Sequence, residues 1–270
     1  MNIRKLLVAV AAVTGALGAI PAFADQMTGQ QLMEAVVENL RGPHGTMMVG
    51  IGKIVSPRMH SDVTLGRSVD GTEEGVHIDV LSAVNEVGTG GRSGQKYRVI
   101  RRENEVSSLT YLPGLGRGRK RPFIPLDQVM ETDQVYYFFP MVGNLRYDFE
   151  YTCTKCDTDD PVISAIRKQT QAAEIAPFPS STWYLKRMGS VYVPTRVEYY
   201  LEANAPKAFA VQIYGGYLEV EGAPGYLAPQ AIETGETKLT FERWFVHAPI
   251  DWILSSNNQT IGTQTLPAYP

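Results

Sequence analysis

The chain has 270 residues, of which 44% are hydrophobic and 10% aromatic, and its formal net charge at pH 7 is −3. This composition excludes an intrinsically disordered chain and indicates a globular protein with a substantial core. The acidic balance argues against bulk binding to nucleic acids or to anionic membranes, while leaving room for a local basic patch.

Residues 1–24 form a predicted secretory signal peptide. A short basic start precedes the largely apolar residues 6–20, and Ala-Phe-Ala at 22–24 is a cleavage site of the small-x-small type. The apolar run is short for a transmembrane helix; an uncleaved N-terminal anchor is the alternative. We expect export to the periplasm and cleavage after Ala24, which leaves 23 basic and 28 acidic residues in a single domain over residues 25–270.

The first predicted element of the mature chain is an amphipathic helix over residues 28–41. Thr28 is the predicted N-cap, and Gln31 three residues later completes a capping-box pattern. Apolar residues then recur at helical spacing, at Leu32, Met33, Val36, Val37 and Leu40. The Gly42-Pro43 pair ends the run, so the helix offers one apolar face that needs a sheet to cover it.

From residue 46 onward the pattern has period two, which is typical of β-strands. Strands are predicted over residues 46–55, 76–81, 97–101, 105–112, 146–153, 181–188, 191–202, 207–214 and 238–246. Residues 66–75 and 215–235 are predicted as turns and loops, 161–175 as a short helix or turn, and 126–139 as a short helix followed by a strand. Nine or ten strands with one good helix and no βαβ alternation predict a mainly antiparallel sheet that curls around a cavity or a helix.

The only two cysteines, Cys153 and Cys156, are separated by two residues. In an oxidising compartment this spacing favours a short-range structural disulfide. A redox pair usually begins a helix, which lowers the thiol pKa, whereas a strand end and an acidic turn flank this pair. A metal site would need two further ligands, and the four histidines show no ligand spacing. We predict a disulfide, with a redox pair and half a zinc site as alternatives.

The most distinctive segment is residues 111–123, where a strand runs into a proline, three glycines and a basic cluster. The glycines and prolines predict a mobile turn at the rim of the sheet. The basic side chains are either solvated faces or a docking patch for an anionic partner, such as a lipid headgroup or an acidic protein surface.

No motif in the chain predicts catalysis or a cofactor. Residues 88–96 resemble a phosphate-binding loop, but the lysine does not directly follow the last glycine and no Ser or Thr comes after it. A G-x-S-x-G nucleophile elbow is absent from the sequence. His77 and Asp79 share a strand face without an identifiable serine partner, and a solvated strand face explains Asp148 and Glu150 better than a glycosidase pair.

The signal peptide, the N-terminal helix, the period-two strands and residues 109–121 together resemble the outer-membrane lipoprotein-sorting proteins, the LolA-like family. Relatives carry an aromatic-Tyr-Leu-Pro-Ala-Leu strand end followed by a basic run. Here the corresponding sequence is Leu-Thr-Tyr-Leu-Pro-Gly-Leu-Gly followed by Arg-Gly-Arg-Lys-Arg. The chain departs from the pattern at Gly114, and the acidic-aromatic Gly-Ser segment after the basic run is missing. It resembles a divergent member.

The resemblance implies a half-open antiparallel barrel of the α+β class, with the N-terminal helix and short helices covering its inner apolar face. It also implies a periplasmic, monomeric carrier without enzymatic activity or cofactor. Such a carrier shields lipid or lipoprotein acyl chains and meets an inner-membrane transporter or an outer-membrane acceptor. The predicted cavity residues are Tyr111, Leu112, Leu115, Phe123, Tyr147, Phe149 and Tyr151. The predicted docking residues are Arg117, Arg119, Lys120 and Arg121.

Two other functions fit the sequence. The chain is alternatively a non-catalytic accessory or sensor domain that binds an envelope protein through a sheet edge or the basic segment. An enzyme would instead need clustered polar residues with perturbed pKa values in a cleft, and the sequence reveals no such cluster.

Overall fold

The computed structural model describes residues 27–57, 59–70, 73–84, 94, 96–102, 105–112, 117–122, 145–146, 148–156, 158–169, 178–203 and 205–248. The predicted signal peptide, the segment over residues 126–139 and the tail after residue 248 lie outside this part. Among the described residues, no helix combines the length and the apolarity that crossing a bilayer requires.

Helix α1 spans Gly29–Arg41, as the capping box and the helical spacing predict. The Thr28 hydroxyl accepts a hydrogen bond from the Gln31 N–H at 3.2 Å, and the Thr28 N–H donates to Gln31 Oε1 at 2.8 Å. These bonds satisfy donors that the start of a helix otherwise leaves unpaired. The predicted apolar stripe is the buried one, with at most 1% exposure at Leu32, Met33, Val36 and Val37.

The described residues contain one sheet of thirteen antiparallel strands. In chain order these are β1 (Met47–Ser56), β2 (Met59–Asp70), β3 (Glu73–Val84), β4 (Lys96–Arg102), β5 (Glu105–Leu112), β6 (Arg117–Pro122), β7 (Phe149–Lys155), β8 (Val162–Arg167), β9 (Ser180–Met188), β10 (Val191–Tyr200), β11 (Ala210–Val220), β12 (Ala223–Thr234) and β13 (Thr237–His247). The sheet is curled and half-open, which confirms the predicted fold class.

The strand order is β6-β5-β4-β3-β2-β1-β13-β12-β11-β10-β9-β8-β7. Strands that follow each other in sequence therefore pair, except β6 and β7. The first and last strands, β1 and β13, join the two runs. The two edges of the described sheet, β6 and β7, are consecutive in the chain, and residues 123–148 connect them.

Helix α1 packs on one face of the sheet, which we call the inner face. Its main contacts are with β2, β7, β8, β10 and β12. Ile163, Trp183 and Val197, each at most 1% exposed, belong to the core formed with the helix. Fully burying a large apolar side chain contributes about 1.5–3 kcal/mol, so the helix and the sheet stabilise each other through this face.

Five strands lie at least partly in segments that the sequence predicts as turns, loops or a short helix, so those predictions were wrong; these strands are β2, β3, β8, β11 and β12. β2 includes residues 66–70, β3 includes 73–75 and β11 includes 215–220. β12 spans Ala223–Thr234, and it pairs with β11 at positions that include Pro229 and with β13 over residues 231–234. β8 has six residues, of which Ile163 and Ala165 are buried. In each strand, pairing with neighbours overrides the local preference of the residues.

The basic segment is also a strand, and the prediction of a mobile turn there was wrong. Residues 117–122 form β6, which pairs with β5 from Arg117↔Leu112 to Pro122↔Ser107. Charged residues and a terminal proline are common on edge strands, because they discourage pairing with further chains.

A proline also lies inside β10. Pro194 is paired with Leu185 of β9, and the pairing of β10 with β11 covers only Arg196 to Tyr199. The register shifts between Pro194 and Arg196. An irregularity of this kind accommodates a residue that has no N–H to donate.

Candidate functional site

The start of α1 lies directly against the backbone of β7. A Cβ atom added at Gly29 would lie 2.7 Å from the Cys153 nitrogen and 2.9 Å from the Thr152 carbonyl carbon. Real Cβ atoms do not approach so closely, so glycine is needed at the first residue of the helix. Cys153 is bonded to Cys156, with 5.7 Å between their Cα atoms, at this end of β7. The predicted disulfide is confirmed.

The end of α1 is held by a buried amide and a buried cation. Asn39, 4% exposed, donates from Nδ2 to the Leu227 carbonyl oxygen at 2.8 Å, and its Oδ1 accepts from the Leu227 N–H at 3.0 Å. The Leu40 carbonyl oxygen accepts from Arg67 Nη1 at 3.2 Å, where the negative end of the helix dipole favours a cation. Helix α1 is therefore bound to β7, β12 and β2.

Two predicted cavity residues, Phe149 and Tyr151, lie on the inner face of β7 beside the helix. Phe149 is 6% exposed and belongs to the core. The Tyr151 hydroxyl donates to the Leu145 carbonyl oxygen at 2.5 Å. Burial raises the pKa of Tyr151, and the charge of Asp148 adds to the shift. Three other predicted cavity residues lie outside the described residues: Leu115, Phe123 and Tyr147.

Arg67 and Glu74 form a buried ion pair between β2 and β3, at the margin of the area that α1 covers. Arg67 of β2 and Glu74 of β3 are 3% and 2% exposed, and Arg67 Nε is 3.8 Å from Glu74 Oε1. Burial lowers the pKa of Arg67, and the Glu74 carboxylate opposes that shift. Charges this deeply buried are tolerated when they are paired, so each residue depends on the other.

Tyr214 of β11 approaches the same region from across the interior. Its hydroxyl donates to Gln212 Oε1 at 2.8 Å, and the Tyr199 hydroxyl donates to the same oxygen at 3.0 Å. Burial raises the pKa of Tyr214, and the charge of Arg67 opposes the shift. Because β2 and β11 are four strands apart in the sheet, an interaction between Arg67 and Tyr214 requires the sheet to curl.

Beyond β2 the inner face continues over β3 to β6, and we call this part the extension face. Directly paired residues of antiparallel strands share a face. One row of paired residues is Met48, Arg67, Val76, Val99, Ser108 and Arg121. The next row is Gly50, Leu65, Ile78, Tyr97, Thr110 and Arg119. The apolar positions of the extension face begin with Val76, which is already buried in the core. They continue with Ile78, Val80, Tyr97, Val99, Val106 and Leu112.

The register divides the predicted docking residues between the two faces. Inner-face positions are taken by Arg117, Arg119 and Arg121, and an outer-face position by Lys120. The predicted cavity residues of β5 are divided in the same way, since Leu112 takes an inner-face position and Tyr111 an outer-face position. A turn, as expected from the sequence, would have had no such alternation.

Sequence reasoning missed Asn39, Arg67 and Glu74. Asn39 comes three residues after Val36 on the apolar stripe of α1, and a polar residue in such a stripe is a usable signal of a buried amide. The Arg67–Glu74 pair has no comparable signal. Its two members are separated by residues with the composition of a turn, and each becomes buried through strand pairing alone.

The described residues contain no group of three or more His, Cys, Asp and Glu side chains that could hold a metal ion. The two thiols of the sequence are joined to each other. The candidate site consists instead of an interior covered by α1, a buried ion pair at its margin, and an extension face with apolar positions that ends at a basic edge strand.

No protein-family model matches the sequence, and no curated protein matches it. The structure is similar to a DUF1329 family protein from Desulfovibrio piger, with a TM-score of 0.63 and 9% sequence identity, covering 83% of this chain and 95% of that one. It is also similar to a LolA superfamily protein from Nitrosomonas europaea, with a TM-score of 0.57 and 11% identity, covering 86% of this chain and 99% of that one. The fold is LolA-like. At these identities the likeness concerns the LolA-like fold alone, and it confirms the fold that residues 109–121 suggest.

Proposed function

We propose that this LolA-like protein is a periplasmic carrier that holds the acyl chains of a lipid or a lipoprotein on its inner face. The fold and the predicted signal peptide support the proposal. Such a carrier needs an apolar surface, access to it and a docking surface, and it needs no catalytic residue. An inner-membrane transporter would load it, and an outer-membrane acceptor would receive the ligand.

The observation that carries the proposal is the extension face. The main contacts of α1 end at β2, whereas apolar positions continue by register across β3, β4 and β5. Each methylene group moved from water to an apolar surface contributes about 0.8 kcal/mol. Ten buried methylenes therefore give a gross stabilisation of about 8 kcal/mol, from which the cost of association must be subtracted.

The interior below α1 is less suited to an acyl chain than the extension face. Phe149, Ile163, Trp183 and Val197 fill that interior with the protein's own side chains. Helix α1 is bonded to β12 through Asn39 and to β2 through Leu40. A ligand that entered there would have to break these bonds, so we place the ligand on the extension face.

The test is to purify the full chain from the periplasm, record native mass spectra and extract any bound lipid. We expect co-purifying lipid. Val99→Asn, at an inner-face position of β4, should lower the amount of lipid, and the matched control Ile100→Asn, at the next position on the outer face, should not. Protein without lipid, and without uptake of lipid from added vesicles, would contradict the carrier function.

A second candidate function is a non-catalytic accessory or sensor domain that binds an envelope protein. The observation that favours it is the pair of sheet edges, since β6 and β7 each have one partner among the described strands. An edge strand can add a strand from another chain. This function predicts that a protein, without lipid, is recovered with the chain from the periplasm.

A further inference from the structure

Backbone register places three arginines of the edge strand β6 at inner-face positions. We call Arg117, Arg119 and Arg121 the arginine row. Each is paired with an uncharged residue of β5, and the pairs are Arg117–Leu112, Arg119–Thr110 and Arg121–Ser108. The arginine row therefore borders the apolar positions of the extension face, while Lys120 of the same strand takes an outer-face position opposite Leu109.

Charged residues on β2 to β6 are divided unequally between the two faces. Inner-face positions hold five arginines and one carboxylate: Arg67, Arg101, Arg117, Arg119, Arg121 and Glu74. Outer-face positions hold four basic and five acidic residues: Lys96, Arg98, Arg102, Lys120, Asp62, Asp70, Glu73, Asp79 and Glu105. The inner face of these strands therefore has a net charge of +4, in a chain whose net charge is −3.

The two faces also differ in how their charges are arranged. On the outer face, acidic and basic residues are paired across strands, as Asp79 is with Lys96 and Glu73 with Arg102. On the inner face the one carboxylate, Glu74, is opposite Arg101 and forms an ion pair with Arg67, and no acidic residue of β5 is opposite the arginine row. Three arginines at alternate positions of one edge strand create a positive potential, which favours an anion there. An anionic group of the ligand would therefore bind at the arginine row.

The dimensions of the extension face suit a ligand with an anionic head and an apolar tail. From β6 to β2 there are four strand spacings, which is about 19 Å at the usual distance of about 4.8 Å between strands. The chains of one bilayer leaflet extend about 15 Å. A headgroup at β6 would therefore allow an extended chain to lie across β5, β4 and β3 towards β2.

We infer that the ligand is an anionic phospholipid whose phosphate binds the arginine row and whose acyl chains lie on the apolar positions of the extension face. Arginine matches phosphate through paired, charge-assisted hydrogen bonds. The inference rests on the proposed carrier function, for which it names the class of ligand.

In the experiment, the full chain is incubated with vesicles of phosphatidylglycerol or with vesicles of phosphatidylcholine that have the same acyl chains. After the vesicles are sedimented, the lipid in the soluble protein is measured by mass spectrometry. We expect about tenfold more phosphatidylglycerol than phosphatidylcholine, the ratio given by one charge-assisted hydrogen bond. The triple variant Arg117→Ser, Arg119→Ser, Arg121→Ser should lose this preference and keep its uptake of phosphatidylcholine, whereas Lys120→Ser should keep the preference.

Salt gives a second measurement that needs no variant. The preference of the wild-type chain should fall as salt rises, because charges near the edge of a sheet are screened. Equal uptake of both lipids by the wild type, or the same loss in Lys120→Ser as in the triple variant, would overturn the inference and leave the carrier function intact. Uptake of neither lipid would instead contradict the carrier function itself.

Discussion

Asn39 of α1 and Leu227 of β12 form two hydrogen bonds, from Asn39 Nδ2 to the Leu227 carbonyl oxygen at 2.8 Å and from the Leu227 N–H to Asn39 Oδ1 at 3.0 Å. The Asn39 side chain thus makes the two hydrogen bonds to the Leu227 backbone that a neighbouring strand would otherwise make. The pair fixes the C-terminal half of α1 on the sheet, and it is the most direct link between the helix and β12.

Replacing Asn39 by Ala should lower the free energy of unfolding by about 2–3 kcal/mol, since it leaves a donor and an acceptor of the Leu227 backbone unpaired. Asn39→Asp should be destabilising as well, because a carboxylate cannot donate to the Leu227 carbonyl. Urea denaturation measures both effects. Glu34→Ala, at an exposed site of the same helix, is the control, and an equal loss in all three variants would refute a specific role for the amide.

Gly29→Ala should destabilise the protein although alanine favours helices. The gain in helix propensity is about 1 kcal/mol, whereas forcing a Cβ atom against the Cys153 and Thr152 backbone costs about 1–3 kcal/mol. We expect a net loss of about 1 kcal/mol and a lower Tm by calorimetry. A Tm above that of the wild type would mean that α1 does not approach β7 as closely as the structure indicates.

Arg67→Met should cost about 3–5 kcal/mol, because it removes the ion pair with Glu74 and the hydrogen bond to the Leu40 carbonyl oxygen. The double variant Arg67→Met, Glu74→Leu should recover most of this loss, since no charge is then left buried at the pair. A double-mutant cycle of unfolding free energies gives the coupling. Additive losses in the double variant would show that the two residues are independent.

Stability should fall as the pH rises above about 10, the ordinary pKa of tyrosine. Burial raises the pKa of Tyr214 and of Tyr217 in the folded protein. The folded state therefore keeps protons that the unfolded chain releases, so the free energy of unfolding is highest below the unfolded-state pKa and falls as pH rises towards the folded-state pKa. Tyr214→Phe should reduce the slope of unfolding free energy against pH, measured by urea denaturation on both sides of pH ~10. An unchanged slope would contradict the assignment to Tyr214.

The elements that the sequence predicts correctly are those whose local and tertiary preferences agree. Thr28 and Gln31 form the capping box at the start of α1, and the apolar spacing of the helix matches its buried face. The strands of two hairpins, β4–β5 and β9–β10, were likewise expected, and the second hairpin turns at Gly189 with a φ of 63°.

The elements that the sequence does not reveal are those where pairing with neighbouring strands overrides the local preference. β2 is not recognised because Arg67 interrupts the apolar periodicity of its buried face. Burial of this arginine depends on its ion pair with Glu74, which the sequence does not reveal. The prolines and glycines of β12 predict a loop, whereas the strand is formed by pairing with β11 and, over residues 231–234, with β13. The division of Arg119 and Lys120 between two faces follows from the β5–β6 register, which cannot be obtained from a segment expected to be a turn.

The order of the strands makes this protein a pair of meanders, β1–β6 and β7–β13, that are joined along the β1–β13 seam. Helix α1 precedes the first meander in sequence, yet most of its partners, β7, β8, β10 and β12, belong to the second. Cutting the chain between residues 123 and 148 would therefore place only one pair of neighbouring strands of the described sheet, β1 and β13, on different fragments. The two fragments should reassociate as the subunits of an obligate heterodimer do. They would be held by the β1–β13 seam and by the contacts of α1 with strands of the second meander.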